Sequence, residues 1–123
     1  MILVDTSVWV HHLRTGHERL ATFLRDARVL VHPFVVGELA CGNLQNRAEL
    51  LQLLGDLPQA KVASQREVLF FIEKNALMGC GIGFIDAHLL AAAALGGTVH
   101  VWTADRRLQR AAAGLGLAYS AAG

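Results

Sequence analysis

Short apolar runs alternate with helix-length segments along the whole chain, and this alternation limits the fold more than any other feature of the sequence. Ile2 to Val4, Val29 to Val31 and Val99 to Trp102 have the length and composition of buried strands, with Lys61 to Ala63 and Leu117 to Tyr119 as further strand positions. Between them fall helical spacings. One starts at Thr6 or Ser7, either of which can cap it, and runs to about Leu13; the next covers Glu18 to Ala27. Pro33 suits the first turn of a helix reaching about Cys41, and Ala48 to Leu54 forms another. Ser64 caps a long helix to about Leu77, Phe84 to Leu95 is an Ala/Leu-rich helix, and Asp105 to Ala113 is the last. Strands separated by helices pair in parallel and need cover on both faces. The pattern therefore predicts an α/β chain, a three-layer α/β/α arrangement with a central, mostly parallel sheet of four or five strands, as a single domain over residues 1–123. In such sheets ligands bind beyond the carboxyl ends of the strands, so the residues just after each strand carry the functional question.

Composition removes several classes. The chain is 54% hydrophobic, which for this length predicts that some apolar surface is covered by a partner or a second copy. The longest apolar stretch, Gly83 to Gly97, contains Asp86 and His88 and falls short of a membrane span, and no targeting segment is visible, so a soluble, cytoplasmic chain with no membrane partner is expected. The net charge of +1 neither supports nor opposes a nucleic-acid partner. Cys41 and Cys80 have neither zinc-site spacing nor a disulfide framework and are expected to be reduced.

Of the ten acidic residues, six lie in polar or amphipathic segments where solvent accounts for them. The other four interrupt or abut apolar runs: Asp5 after Ile2-Leu3-Val4, Glu38 behind Phe34-Val35-Val36, Asp86 behind Phe84-Ile85, and Asp105 after Val99 to Thr103. A carboxylate taken out of water costs several kcal/mol unless it is paired or bound to a metal. Each has a plainer role open to it: Asp5 and Asp105 as helix caps, Asp86 at a helix dipole, Glu38 on a surface. Gathered in one crevice, the four repel one another and require a cation, and an all-oxygen set suits Mg²⁺ or Mn²⁺ rather than zinc. Ser7 and Thr103 each stand two residues from one of these acids and are placed to orient a carboxylate; Ser7 can also serve as a cap.

Asp5-Thr-Ser-Val-Trp after the first strand, Gly37-Glu38 mid-chain, Phe84-Ile-Asp-Ala opening a helix and Thr103-Ala-Asp105 after a late strand resemble, in that order, the PIN domain, and more narrowly the VapC toxins of bacterial toxin–antitoxin pairs. The resemblance covers nearly the whole chain. It implies a metal-dependent endoribonuclease that cuts RNA phosphodiester bonds with metal-activated water, uses Mg²⁺ or Mn²⁺, is held by a cognate antitoxin and forms a homodimer. It also implies that Asp5, Glu38, Asp86 and Asp105 are the catalytic and metal-binding acids, with Ser7 and Thr103 as accessory hydroxyls. Many relatives carry a further acid two residues after the late Asp, where this chain has Arg107. Arg106, Arg107 and Arg110 beyond the last acid, and Arg14 with His11 and His12 near the first helix, are placed to contact RNA backbone or an antitoxin, or to form solvated faces. The alternatives are an antitoxin-independent RNA-processing nuclease and a non-catalytic flavodoxin-like binding or receiver module. The receiver lacks its acceptor Asp after the third strand and a Lys after the fifth.

Overall fold

The protein was examined as a computed structural model that describes residues 1–120. Its strands are β1 (Ile2–Val4), β2 (Val29–Leu30) and β3 (His100–Trp102), and its helices α1 (Thr6–Thr15), α2 (Glu18–Arg25), α3 (Pro33–Ala40), α4 (Arg47–Asp56), α5 (Gln65–Lys74), α6 (Phe84–Gly96) and α7 (Arg106–Gly114). The sheet has the order β2-β1-β3 and both pairings are parallel. Ile2, Leu3 and Val4 are all buried although successive side chains on a strand point to opposite faces, so both faces of β1 are covered. α6 and α7 pack against β3, α5 packs on α6, and α3 joins α1 to α4.

The sheet is narrower than expected from the sequence. The strand expected at Lys61 to Ala63 does not form. Edge pairing occurs two residues earlier, as a single bridge of Val31 with Gln59, held by Val31 N–H to Pro58 O at 2.9 Å and Ala60 N–H to Val31 O at 2.8 Å. Ala63 turns inward instead and packs with Val68, Ala87 and Ala91 beneath α6. On the other edge, Leu117 to Tyr119 contributes one bridge, Ala118 with Val101. Helix boundaries hold to within three residues. α5 stops at Lys74 because Asn75 closes it and Ala76 turns with φ +51°, while its start carries a full capping box between Ser64 and Glu67.

His32 and His88 form a pair not foreseen from their spacing. His32 caps α3, its Nδ1 accepting the Phe34 N–H at 3.0 Å, so the ring proton sits on Nε2. Both rings are buried, 6.1 Å apart and edge-on to Phe34, with Phe84 also against His88. His32 Nε2 and His88 Nδ1 have no hydrogen-bond partner among the described residues. Burial first, and then the neighbouring His88, pushes His32 down from 6.5 to about 4, and burial lowers His88 as well. The neutral ring belongs to the folded state, so its stabilisation is complete above the unfolded value of 6.5 and is lost as pH falls toward 4. Urea unfolding at pH 7 and pH 5 should differ by about 2 kcal/mol, with a shallower slope in His32→Asn, which keeps a capping acceptor. Equal pH dependence in the two proteins would sink this account.

Candidate active site

The register Val4 opposite Trp102 brings the two strand ends together, and Asp5 N–H donates to Trp102 O at 2.9 Å. Asp5, only 7% exposed, stands at the cap position of α1 but its side chain makes no capping bond. Its Oδ2 accepts the hydroxyls of Ser7 at 2.8 Å and Thr103 at 2.7 Å, two residues separated by nearly the full sheet connection. Ser7 Oγ lies 3.3 Å from Thr103 Oγ1 and accepts the Ala104 N–H at 3.0 Å, while Thr103 Oγ1 accepts the Asp105 N–H, also at 3.0 Å. The plain capping role left open for Asp5 is therefore not the one observed. Ser7 likewise spends its hydroxyl across the sheet and does not cap α1.

Glu38 is exposed on α3, and its Oε1 accepts the Thr6 hydroxyl at 2.6 Å. Asp86, half-buried in the first turn of α6, accepts the Gly83 N–H on Oδ2 at 3.1 Å. Burial raises its pKa above the usual carboxylate value; the Gly83 bond opposes this, and the charges of Asp5, Asp105 and Glu38 raise it further. Asp5, Asp105 and Glu38 thus lie near enough to Asp86 to disfavour its charge, by less than burial does. Asp105, exposed, does cap a helix: its Oδ1 accepts the N–H groups of Arg107 at 2.8 Å and Leu108 at 3.0 Å.

A common pattern emerges. Each acid anchors one oxygen on protein donors, namely Asp5 Oδ2, Glu38 Oε1, Asp86 Oδ2 and Asp105 Oδ1, and the second oxygen of each accepts no bond from the described residues. None is ion-paired with a described Lys, Arg or His. No three of the described His, Cys, Asp or Glu side chains meet closely enough to hold a metal as they stand, so the close gathering expected from the sequence requires side-chain movement. The donor set still fits a divalent cation of the Mg²⁺ or Mn²⁺ kind: it is all oxygen, and each carboxylate is oriented by hydrogen bonds to one of its oxygens.

Thr6, the partner of Glu38, went unrecognised as a site residue, since nothing local links positions 32 residues apart. Arg107 extends along the glycine loop before α6; a Cβ on Gly81 would lie 2.6 Å from its Cδ, and Gly81 itself has φ +85°. Arg14, Arg106 and Arg110 are exposed and free of described ion pairs. His12 does local work, its Nδ1 accepting the His17 N–H at 3.0 Å where α1 gives way to α2, while His11 is exposed.

A parallel sheet with Asp5 and Asp105 just beyond the carboxyl ends of β1 and β3 suits the class that the family comparison shows: residues 2–114 match the PIN domain, and the chain belongs to that family. Within it the chain is of the VapC type. It is 45% identical over 118 residues to Ribonuclease VapC32 of Mycobacterium tuberculosis, in strains CDC 1551 / Oshkosh and ATCC 25618 / H37Rv alike, covering 96% of this chain and 95% of the relative. The solved structure of PAE2754 from Pyrobaculum aerophilum shares the fold, with a TM-score of 0.64 at 16% identity, over 89% of this chain and 83% of that one.

Proposed function

We propose that the chain is a Mg²⁺- or Mn²⁺-dependent endoribonuclease, the toxin of a toxin–antitoxin pair, cutting RNA phosphodiester bonds with water. What supports this reading is four acids, each oriented through one oxygen by protein donors while the second accepts no bond from the described residues. Asp5, Glu38, Asp86 and Asp105 would hold the ion, with Ser7 and Thr103 fixing Asp5. When bound, such an ion polarises the phosphate and lowers the pKa of a water molecule. The protein's own work is to keep the carboxylates oriented and to bring RNA to them. Arg106 and Arg110, exposed and unpaired among the described residues, are assigned to phosphate contact, with Arg107 and Arg14 at the borders of the crevice. The kinship with a VapC ribonuclease supports a cognate antitoxin as partner. Self-association as a dimer is supported by Phe70 and Leu95, 66% and 53% exposed, which border an apolar cleft of about 700 Å³. No helix among the described residues is long and apolar enough to cross a membrane.

The test is cleavage of total and structured RNA with Mg²⁺ or Mn²⁺, with and without a chelator. Cutting that EDTA stops is expected; no cutting of any RNA together with no divalent-ion binding by calorimetry would reject the proposal. Asp86→Asn separates stability from function. Its charged form is disfavoured in the fold, so the amide, which keeps an acceptor for the Gly83 N–H, is expected to raise Tm while lowering cleavage by about a hundredfold or more. For the same reason activity should fall as pH drops through the raised Asp86 value. A lower Tm in the variant would contradict this account of the site.

A further inference from the structure

Beside the acidic crevice lies a second hollow that catalysis by the four acids leaves unused. It is a cleft of about 370 Å³ between α1, α3 and the loop joining α3 to α4. Leu13, Leu39 and Leu50 give it apolar surface, Asn43 and Gln45 give it amides, and Arg14 and Glu38 complete the lining. Glu38 is the one of the four acids that lines this cleft, so whatever fills the cleft lies next to Glu38.

The loop is held in shape. The Arg47 guanidinium donates to the carbonyls of Ala40 and Gly42, and Asn46 takes a left-handed conformation at φ +51° where α4 begins. Asn43 and Gln45 are thus presented from an anchored segment, and neither side-chain amide has a partner among the described residues. Each amide offers a donor and an acceptor side by side, the arrangement that reads a nucleobase edge. The apolar side chains offer a surface for a flat ring, and Arg14 offers a cation for an adjacent phosphate or a planar group for stacking.

We infer that this cleft is a base-recognition subsite: it takes one unpaired nucleobase next to the scissile phosphate, and Asn43 and Gln45 determine which base is preferred. The inference rests on the nuclease reading of the neighbouring acids. A protein segment is the competing occupant. The unspent amides and the shared Glu38 favour RNA, since a base in the cleft places its own phosphate beside Glu38.

The experiment uses the full chain with Mg²⁺ or Mn²⁺ and a set of short single-stranded RNAs differing in one base on either side of a fixed cleavage point. Wild type is expected to favour one base at a flanking position by about tenfold or more in kcat/KM, and the Asn43→Ala/Gln45→Ala protein to narrow that spread to about threefold or less. Asn43→Asp should change which base is favoured, a readout that a merely structural role would not move. Both residues are exposed in a loop, and circular dichroism checks that the fold is kept. Binding of the same RNAs to Asp5→Asn by fluorescence anisotropy reads the subsite without cutting. Cleavage with no base preference, or a preference that survives the double substitution, overturns the subsite and leaves the nuclease standing. Base-selective binding lost in the double variant, in a protein that cuts nothing, upholds the subsite and removes the nuclease reading. Protection of residues 43–45 from hydrogen exchange by a partner protein, and by no RNA, reassigns the cleft to protein docking and overturns the inference.

Discussion

Asp5→Asn is expected to lower RNA cleavage by about a thousandfold, the scale at which several kcal/mol of charge stabilisation at the reacting phosphate is lost. Structure should survive the change. Asparagine keeps an oxygen that can accept the Ser7 and Thr103 hydroxyls, which bond one oxygen only, so the link between the ends of β1 and β3 persists. What disappears is the negative charge on the second oxygen, the one left without a described protein donor. The diagnostic is a combined measurement: cleavage rate, thermal unfolding and divalent-ion titration on the same preparation. Near-wild-type cleavage with weakened stability would mean that Asp5 serves the fold and that the reaction is organised elsewhere.

Leu90→Ala should produce the largest stability loss, about 3–4 kcal/mol, with Tm falling by roughly 10–15 °C. α6 is buried along Ala87 to Ala93, a run covering nearly two turns, so this middle stretch is enclosed on every face. Leu90 is fully buried. It belongs to the main core cluster, where Ala93, one turn on, is too small to fill the space, so a cavity is expected to remain. Leu90 also stands one turn after Asp86 on the same face of the helix, so loosening it disturbs the placement of that acid. Cleavage measured well below the new Tm should therefore fall too, though by less than in Asp86→Asn. A loss under 1 kcal/mol by urea unfolding would show that α6 repacks freely.

The order of elements was legible because periodicity and capping are local. Ser64 with Glu67, Pro33 and the glycines before Phe84 mark helix starts through chemistry confined to a few residues. The sheet edges were not, since whether Lys61 to Ala63 pairs or turns inward depends on α6 offering Ala87 and Ala91 to Ala63. The position of the four acids after apolar runs was legible, but the burial inferred from it was not general: Asp5 is buried and Asp86 half-buried, whereas Glu38 and Asp105 are exposed. Their tethers were harder to read. Ser7 is two residues from Asp5, but Thr103 reaches it only through the β1–β3 register, and Thr6 reaches Glu38 only through the packing of α1 on α3. Asp105 followed a strand in the sequence as Asp5 did, but with Arg107 two residues on it was the weaker candidate ligand of the two. The fold separates them, one carboxylate bonded across the sheet and the other capping α7. The His32–His88 pair left no signal, because residues so far apart share no periodicity.

The knot of Asp5, Ser7 and Thr103 has a consequence for synthesis. Thr103 is synthesised 98 positions after Asp5. Domains generally fold as units as they emerge, so β1 waits in the middle of an unfinished sheet until β3 arrives to pair with it. Until then Asp5 has one of its two hydroxyls and Asp105 does not yet exist. On the nuclease reading, a growing chain cannot assemble the four acids until Asp105 has been made and β3 has paired with β1.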